Sequence, residues 1–579
     1  MPKSAAMGVL FLTVALLLAR AGAAEMVGSM KLLAIEERTG RGSVANLSLE
    51  IVPGSGKIFI ESFPLTKFDT QATTRFAAQL ACAYSGVDCS RYDFFYAIKA
   101  ESTIVGGPSA GAATAALTVA LLKGLELEQG STLTGTINSG FLIGPVSGIP
   151  AKLEAAAQAG LSKVLVPAGA GLLADNITVN LSALGAKLGL TVIEVSDLDD
   201  VLVELAGLPR VETPVELRAD PDYVEVMSGI AQRLCARTHE ILSTVGEGRL
   251  SGRSLELEAE GTALFAKAED AMARGHWYST ASYCYGANVR YSQAVALANP
   301  LDAAELEAAL GKLAVEKELV DAALENRTRN TITDLEAYMI AKLRLDEAGE
   351  ILADGRSALA ERDLEKAALS LAGAVERLYS VELWSEFFGR PGAVLELDRS
   401  ALARSCNSKI TEAEERRHYL GLVLAESIDR SELDAAYRER EKGKFELCLF
   451  RASKAKAGYD ILLSGIGQRP EQIELLLDQK LGAARKVIAR QRAAGLSPIF
   501  GYSFYEYAAD LRQHDKESAL LYAEYAIELS GLDVYFRKVE KLRPKLPKLE
   551  KSTVIAFVLG FLLALGLVLL IRRKVREKP

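Results

Sequence analysis

Between Met30 and Phe63 apolar residues alternate with polar ones in three short runs, Met30 to Glu36, Val44 to Val52 and Lys57 to Phe63, separated by glycine-containing turns. A period of two buries one face of an extended chain, so these runs predict antiparallel strands. The period then lengthens to that of a helix over Gln71 to Tyr84, returns to a strand over Tyr92 to Ala100, and gives a long helix of small residues from Ser109 to Leu122. Further on, Ala151 to Gln158 predicts a helix, Lys163 to Val166 and Leu190 to Val195 predict strands, and Leu198 to Leu205 a closing helix. Residues 25–208 therefore predict an α+β domain.

After a proline-containing linker at 209–221 the pattern changes. Residues 222–545 are rich in Ala, Leu, Glu, Arg and Lys, apolar positions recur three and four apart, and proline is scarce, which predicts an all-α region. Two stretches resemble each other: Arg274-Gly-His-Trp ahead of Cys284, and Lys442-Gly-Lys-Phe ahead of Cys448. With the Ala-rich hairpins at Ala358 to Tyr379 and Tyr505 to Leu529, they allow stacked helical pairs of tetratricopeptide type as readily as an ordinary bundle. Trp277, Tyr278 and Trp384 are expected to pack these helices together, and the charge run Glu412 to Arg417 to be a solvated helix face.

The two ends carry different signals. Lys3, the apolar run Met7 to Leu18 and the small residues Ala21 to Ala24 have the layout of a secretory signal peptide over 1–24. Thr553 to Ile571 is uncharged and apolar throughout, which predicts a C-terminal transmembrane helix followed by a basic tail at 572–579. Together they predict a single-pass protein of the cell membrane, with the bulk of the chain extracellular and the C-terminus cytoplasmic. A net charge of −8 and a pI near 5.5 argue against nucleic acid as a partner. The six cysteines include no C-x-x-C and no His/Cys cluster of zinc spacing, so no metal or other cofactor is expected. Their order permits three pairs of neighbours without establishing any.

The chemistry concentrates between Ala100 and Pro167. Gly106-Gly-Pro-Ser109-Ala-Gly111 places a serine between a glycine-rich turn and a helix, where unpaired backbone amides can face a developing oxyanion. Serine needs a base, and all four histidines (His239, His276, His418, His514) lie outside the α+β domain. A lysine made neutral by burial is the remaining route, and Lys152, which opens a run of small and apolar residues, is the best placed.

These motifs resemble the proteolytic domain of Lon proteases. Gly107-Pro-Ser-Ala-Gly111 is similar to the family's nucleophile motif, and Pro145-Val-Ser-Gly-Ile-Pro-Ala-Lys152 to its lysine motif. Thr134-Gly135 matches the family's intervening Thr-Gly, and the spacings of all three agree. The resemblance implies a Ser/Lys dyad with Ser109 as nucleophile and Lys152 as general base, Thr134 holding the lysine, and Gly107, Pro108, Ser109 and Ala110 forming the turn around the nucleophile. Glu101 lies near the place of an acidic residue of the family and is a peripheral candidate. Two positions depart from the pattern: Gly106 stands where bacterial members have Asp, and Ser147-Gly148 replaces a double glycine. The family's ATPase motif is missing, and Gly54-Ser-Gly-Lys57 predicts a hairpin turn in preference to a phosphate loop. In overall plan the chain is most similar to archaeal Lon-like proteases with a membrane anchor and no ATPase. The resemblance implies an ATP-independent serine endopeptidase acting on unfolded or flexible protein segments, and it allows a homo-oligomer. The alternative is a catalytically silent Lon-like fold serving as a surface-anchored protein-interaction scaffold.

Overall fold

In the computed structural model the described residues are 26–36, 39–63, 67–100, 107–170, 180–210, 217, 219–244, 250, 252–424, 428–465 and 473–539. Strand β1 (Met26–Ile35) pairs antiparallel with β2 (Gly42–Pro53), in which Ala45, Leu47, Leu49 and Ile51 alternate into the core. The chain continues through β3 (Ile58–Phe63), helix α1 (Phe68–Ser85) and β4 (Tyr92–Ala100). The sheet order is β1-β2-β4-β3, with β3 parallel to β4. Gly54 to Lys57 is therefore a crossover, and the expected hairpin is corrected: β4 inserts between the two strands the turn connects. The Asp93 carboxylate on β4 accepts from the Ser55 and Lys57 amides at 2.7 and 2.9 Å, so a side chain of the protein occupies the amides that a phosphate loop would offer to its ligand.

A second layer follows. Helix α2 (Gly111–Lys123) leads to β5 (Ser131–Leu133), then to the small antiparallel pair β6 (Thr136–Ile137) and β7 (Ile143–Gly144). Next come α3 (Ile149–Gln158), β8 (Lys163–Pro167), α4 (Leu181–Lys187), β9 (Thr191–Val195) and α5 (Leu198–Ala206). Strands β5, β8 and β9 form a parallel sheet in that order. Helix α2 is almost wholly buried because Ala, Gly and Thr let it lie close against both layers.

The rest is helical. Helices α6 (Pro221–Ser243), α7 (Arg253–Ala273), α8 (Trp277–Ala298), α9 (Ala303–Glu325), α10 (Ile332–Ala360) and α11 (Leu364–Trp384), in which α7 packs on α8 and α10 on α11, precede α12 (Arg399–Val423), α13 (Ser431–Glu441) and α14 (Phe445–Gly465). Helices α15 (Ile473–Ala493), α16 (Ile499–Leu511) and α17 (Lys516–Ser530) complete it. Both basic-Gly-basic stretches are tight turns: Gly275 and Gly443 have φ of +74° and +73°, and each opens a helix bearing a cysteine. All six cysteines pair as neighbours, Cys82–Cys89, Cys235–Cys284 and Cys406–Cys448, the last joining α12 to α14. Tyr278 stacks edge-on to Trp384 with centroids 6.1 Å apart inside the helical core.

The described residues up to Arg537 form one compact unit. Two expectations are corrected. No helix among the described residues is long and apolar enough to cross a membrane. The most apolar of them, α2, has 13 residues where about 20 are needed. Among the described residues the fold class is thus an α+β domain followed by an all-α region with no helix able to serve as the expected transmembrane one, and the single-pass membrane localisation is withdrawn with it. Residues 1–24 and 553–579, on which the leader, the anchor and the basic tail were expected, lie outside the described residues. The second correction concerns Glu412 to Arg417. Glu412, Glu415 and Arg416 are buried, because α12 packs against α1 and presents them to the α+β region.

Candidate active site

The serine turn is set by α1. Gly107 has φ of +104°, a value an L side chain resists, and Pro108 opens a short 3₁₀ turn over Pro108–Ala110 that runs into α2. The Gly107 amide donates to Asp69 Oδ2 at 3.0 Å and the Thr70 hydroxyl donates to the Gly107 carbonyl at 3.4 Å, so the first turn of α1 holds this glycine at both ends. Ser109 is half-buried. Its carbonyl accepts from the Gly135 amide at 3.0 Å, and the Gly135 carbonyl accepts from the Ala112 amide at 3.1 Å. With the Gly107 amide taken and Pro108 lacking one, neither of the first two residues of the turn offers a free amide.

The lysine arrives on a separate helix. Gly148, at φ +67°, caps α3, Pro150 sits in its first turn, and the Lys152 amide bonds to the Gly148 carbonyl at 3.1 Å. Ile149, Leu153 and Ala156 pack with Leu33, Val164 and Val166, and this leaves Lys152 only 3% exposed. Its amine donates to Thr134 Oγ1 at 3.1 Å, and the buried Thr134 is itself held by its amide on the Leu165 carbonyl at 3.1 Å. Burial draws the Lys152 amine down from the ordinary 10.5 to about 7. Such an amine can be neutral at physiological pH, which a general base requires.

Thr134 and Gly135 thus stand between the two motifs: one holds the lysine by its side chain, the other holds the serine by its backbone. Among the described residues no hydrogen bond joins the Ser109 hydroxyl to the Lys152 amine. Glu101 and Gly106 lie outside the described residues. The motifs did not reveal Asp69, because an acid in the first turn of a helix ordinarily serves the helix dipole.

Beside the lysine loop a cavity of about 580 Å³ opens between the α+β region and the helices, with Pro145, Ser147 and Gly148 on one wall and Tyr419, Leu463 and Leu476 on the other. Ion pairs fasten the helices to one another and to the α+β region, the acidic partner buried in each. Glu528 on α17 receives Lys409 at 2.8 Å and Lys456, and although burial opposes it, these two ammonium groups hold its carboxyl well below the usual carboxylate range. Arg490 reaches Asp199 at 2.5 Å, and Lys486 reaches Asp197.

Residues 87–206 match the family model of the Lon protease (S16) C-terminal proteolytic domain. The archaeal Lon protease of Methanothermobacter thermautotrophicus is 36% identical over 85 residues, which are 15% of this chain and 13% of that protein. The Lon protease of Clostridium beijerinckii is 33% identical over 123 residues, 21% of this chain and 15% of the relative. For the Lon protease of Azospirillum brasilense the figures are 31% over 186 residues, 31% of this chain and 22% of the relative. The chain therefore spans less than a quarter of the length of these relatives. Residues 87–206 are a proteolytic domain of the Lon type, a serine-protease family.

Proposed function

We propose that the chain is an ATP-independent serine endopeptidase in which Ser109 is the nucleophile and Lys152 the general base. The observation that carries this reading is the buried Lys152 amine, near neutrality and held by Thr134. In acylation the neutral amine takes the Ser109 proton as Oγ attacks the peptide carbonyl carbon. The oxyanion is received by backbone amides at the Ser109 turn, and the ammonium passes the proton to the departing amine as the C–N bond breaks. In deacylation Lys152 takes a proton from water, which adds to the ester carbonyl, and returns it to Ser109 Oγ. The support for ATP independence is that the Gly54–Lys57 turn is spent on Asp93. As an ATP-independent enzyme it acts on unfolded or flexible polypeptide.

A fluorescent serine-reactive phosphonate tests the nucleophile: labelling of the full chain is expected and is lost in Ser109→Ala. Cleavage of an unfolded labelled protein is abolished in Lys152→Arg, because guanidinium stays protonated. Activity retained by that variant refutes Lys152 as base. Added ATP leaves the rate unchanged.

A further inference from the structure

The loop between the lysine and its holder does not stand by itself. Thr134 and Lys152 bound a segment of chain that the helical region grips at four successive points. Arg416 on α12 donates to the Ile137 carbonyl at 2.6 Å. Glu524 on α17 accepts from the Asn138 side-chain amide at 3.2 Å, and Glu528 accepts from the Ser139 hydroxyl at 2.9 Å. The Tyr419 hydroxyl on α12 accepts from the Ser147 amide at 2.9 Å, immediately before the Gly148 cap of the lysine helix. Arg416 is 2% exposed and is itself fixed by Asp460 of α14 at 2.8 Å. Ile137 lies two residues after Gly135, whose backbone bonds to both Ser109 and Ala112. All four gripping residues lie outside 87–206, the segment that matches the protease family.

We propose that the helical region is a working part of the proteolytic site, with Arg416 and Tyr419 as positioning residues that set the dyad through Ile137 and Ser147. The inference rests on the Ser109/Lys152 reading and adds to it a role for a region the family match does not cover. The physical reason is leverage. Reacting groups must meet within a few tenths of an ångström, and a displacement of ~1 Å costs roughly a hundredfold in rate. A loop tied only at Thr134 and Lys152 has no such precision, whereas buried charge-assisted bonds to its carbonyl, hydroxyl and amide groups restrict it from the opposite side. Ser147 directly precedes the Gly148 cap of α3, so the grip on Ser147 also fixes the helix whose packing buries Lys152. Burial is the cause that lowers Lys152, with no charged group of β1, β2, β8 or α4, the described elements packed on α3, contributing.

The test uses the full chain. Tyr419→Phe removes one hydroxyl and keeps the ring in its apolar cluster. Rates are expressed per site labelled by the serine probe, so that any loss of folded protein is removed from the comparison. The expected result is a kcat lower by roughly ten- to a hundredfold, a KM within about twofold, and an acid limb of kcat/KM moved upward from about 7 toward the free lysine value. Arg416→Met shows the same signature more strongly, and Arg416→Lys, whose ammonium can still reach the Ile137 carbonyl, recovers part of it. Glu415, whose carboxyl burial pushes up to about 7 against Arg416 beside it, titrates in the same range, and Glu415→Gln separates it by leaving the limb where Lys152 puts it. A Tyr419→Phe enzyme with unchanged kcat per labelled site and an unmoved acid limb overturns the positioning role. Activity surviving in Lys152→Arg instead overturns the dyad itself, so the two failures are distinguishable.

Discussion

Replacing Lys152 by methionine in a Ser109→Ala background, where no self-cleavage interferes, is expected to make the protein more stable at neutral and lower pH. In the fold the amine is buried and titrates at about 7, whereas in the unfolded chain it titrates near 10.5. Between those two values the unfolded state binds the extra proton, so the lysine protein gains stability as pH rises through this window, by about 1.4 kcal/mol per pH unit. Below about 7 both states are protonated and the whole penalty is felt: 10.5 less about 7, or roughly 5 kcal/mol at most. Methionine fills a similar volume without the charge. It leaves the Thr134 hydroxyl without the partner it has at 3.1 Å, a loss of about 1 kcal/mol, so a net gain of roughly 4 kcal/mol is expected at pH 6. Urea unfolding of the two proteins at half-unit steps from pH 6 to 10.5 measures the difference directly. Glu415 and Glu506, both raised to about 7 by burial, are common to the two chains and cancel. A difference that stays flat across the window refutes a buried, neutralised lysine and removes the base from the proposed dyad.

Other consequences are open to simpler assays. The rate of cleavage per labelled serine falls tenfold for each pH unit below about 7 as Lys152 takes up its proton, and a profile flat to pH 5 contradicts this. Asp69→Asn exchanges the carboxylate that receives the Gly107 amide for a neutral acceptor, and is expected to lower the rate of probe labelling roughly tenfold while thermal unfolding moves by only a few degrees. Glu528→Ala leaves Lys409 and Lys456 buried beside each other without their shared carboxylate, and chemical denaturation should report a loss of about 3–5 kcal/mol. Replacing Cys406 and Cys448 together by alanine releases a loop with a sequence separation of 42, and the chain-entropy estimate is a loss of about 4 kcal/mol, read from the denaturant midpoint.

Local signals were legible because they are short-range. Periodicity places Tyr92–Ala100, the lysine helix and the closing helix within a few residues of where they form, since burying one face of a strand or helix depends on neighbours two, three or four positions away. The family match to 87–206 followed from the serine and lysine motifs for a related reason: a glycine at positive φ, a proline and a small-residue helix leave a fixed trace in the chain. The expected hairpin at Gly54 failed because partner choice among strands is a long-range matter, and β4 takes the place between β2 and β3.

What only the tertiary structure decided is the state of the charged groups. Lys152 carries the same letter as any surface lysine, and its burial depends on Leu33, Val164 and Val166 coming together from distant parts of the chain. Glu412 to Arg417 has the composition of a solvated face, yet Glu412, Glu415 and Arg416 lie buried, since α12 turns them toward Lys409 of its own preceding turn, Asp460 of α14, and Thr73 and Ile137 of the α+β region. A charge can be kept away from water only where hydrogen bonds and counter-charges converge on it from several elements at once. That convergence is a property of the assembled chain and has no counterpart in any window of its sequence.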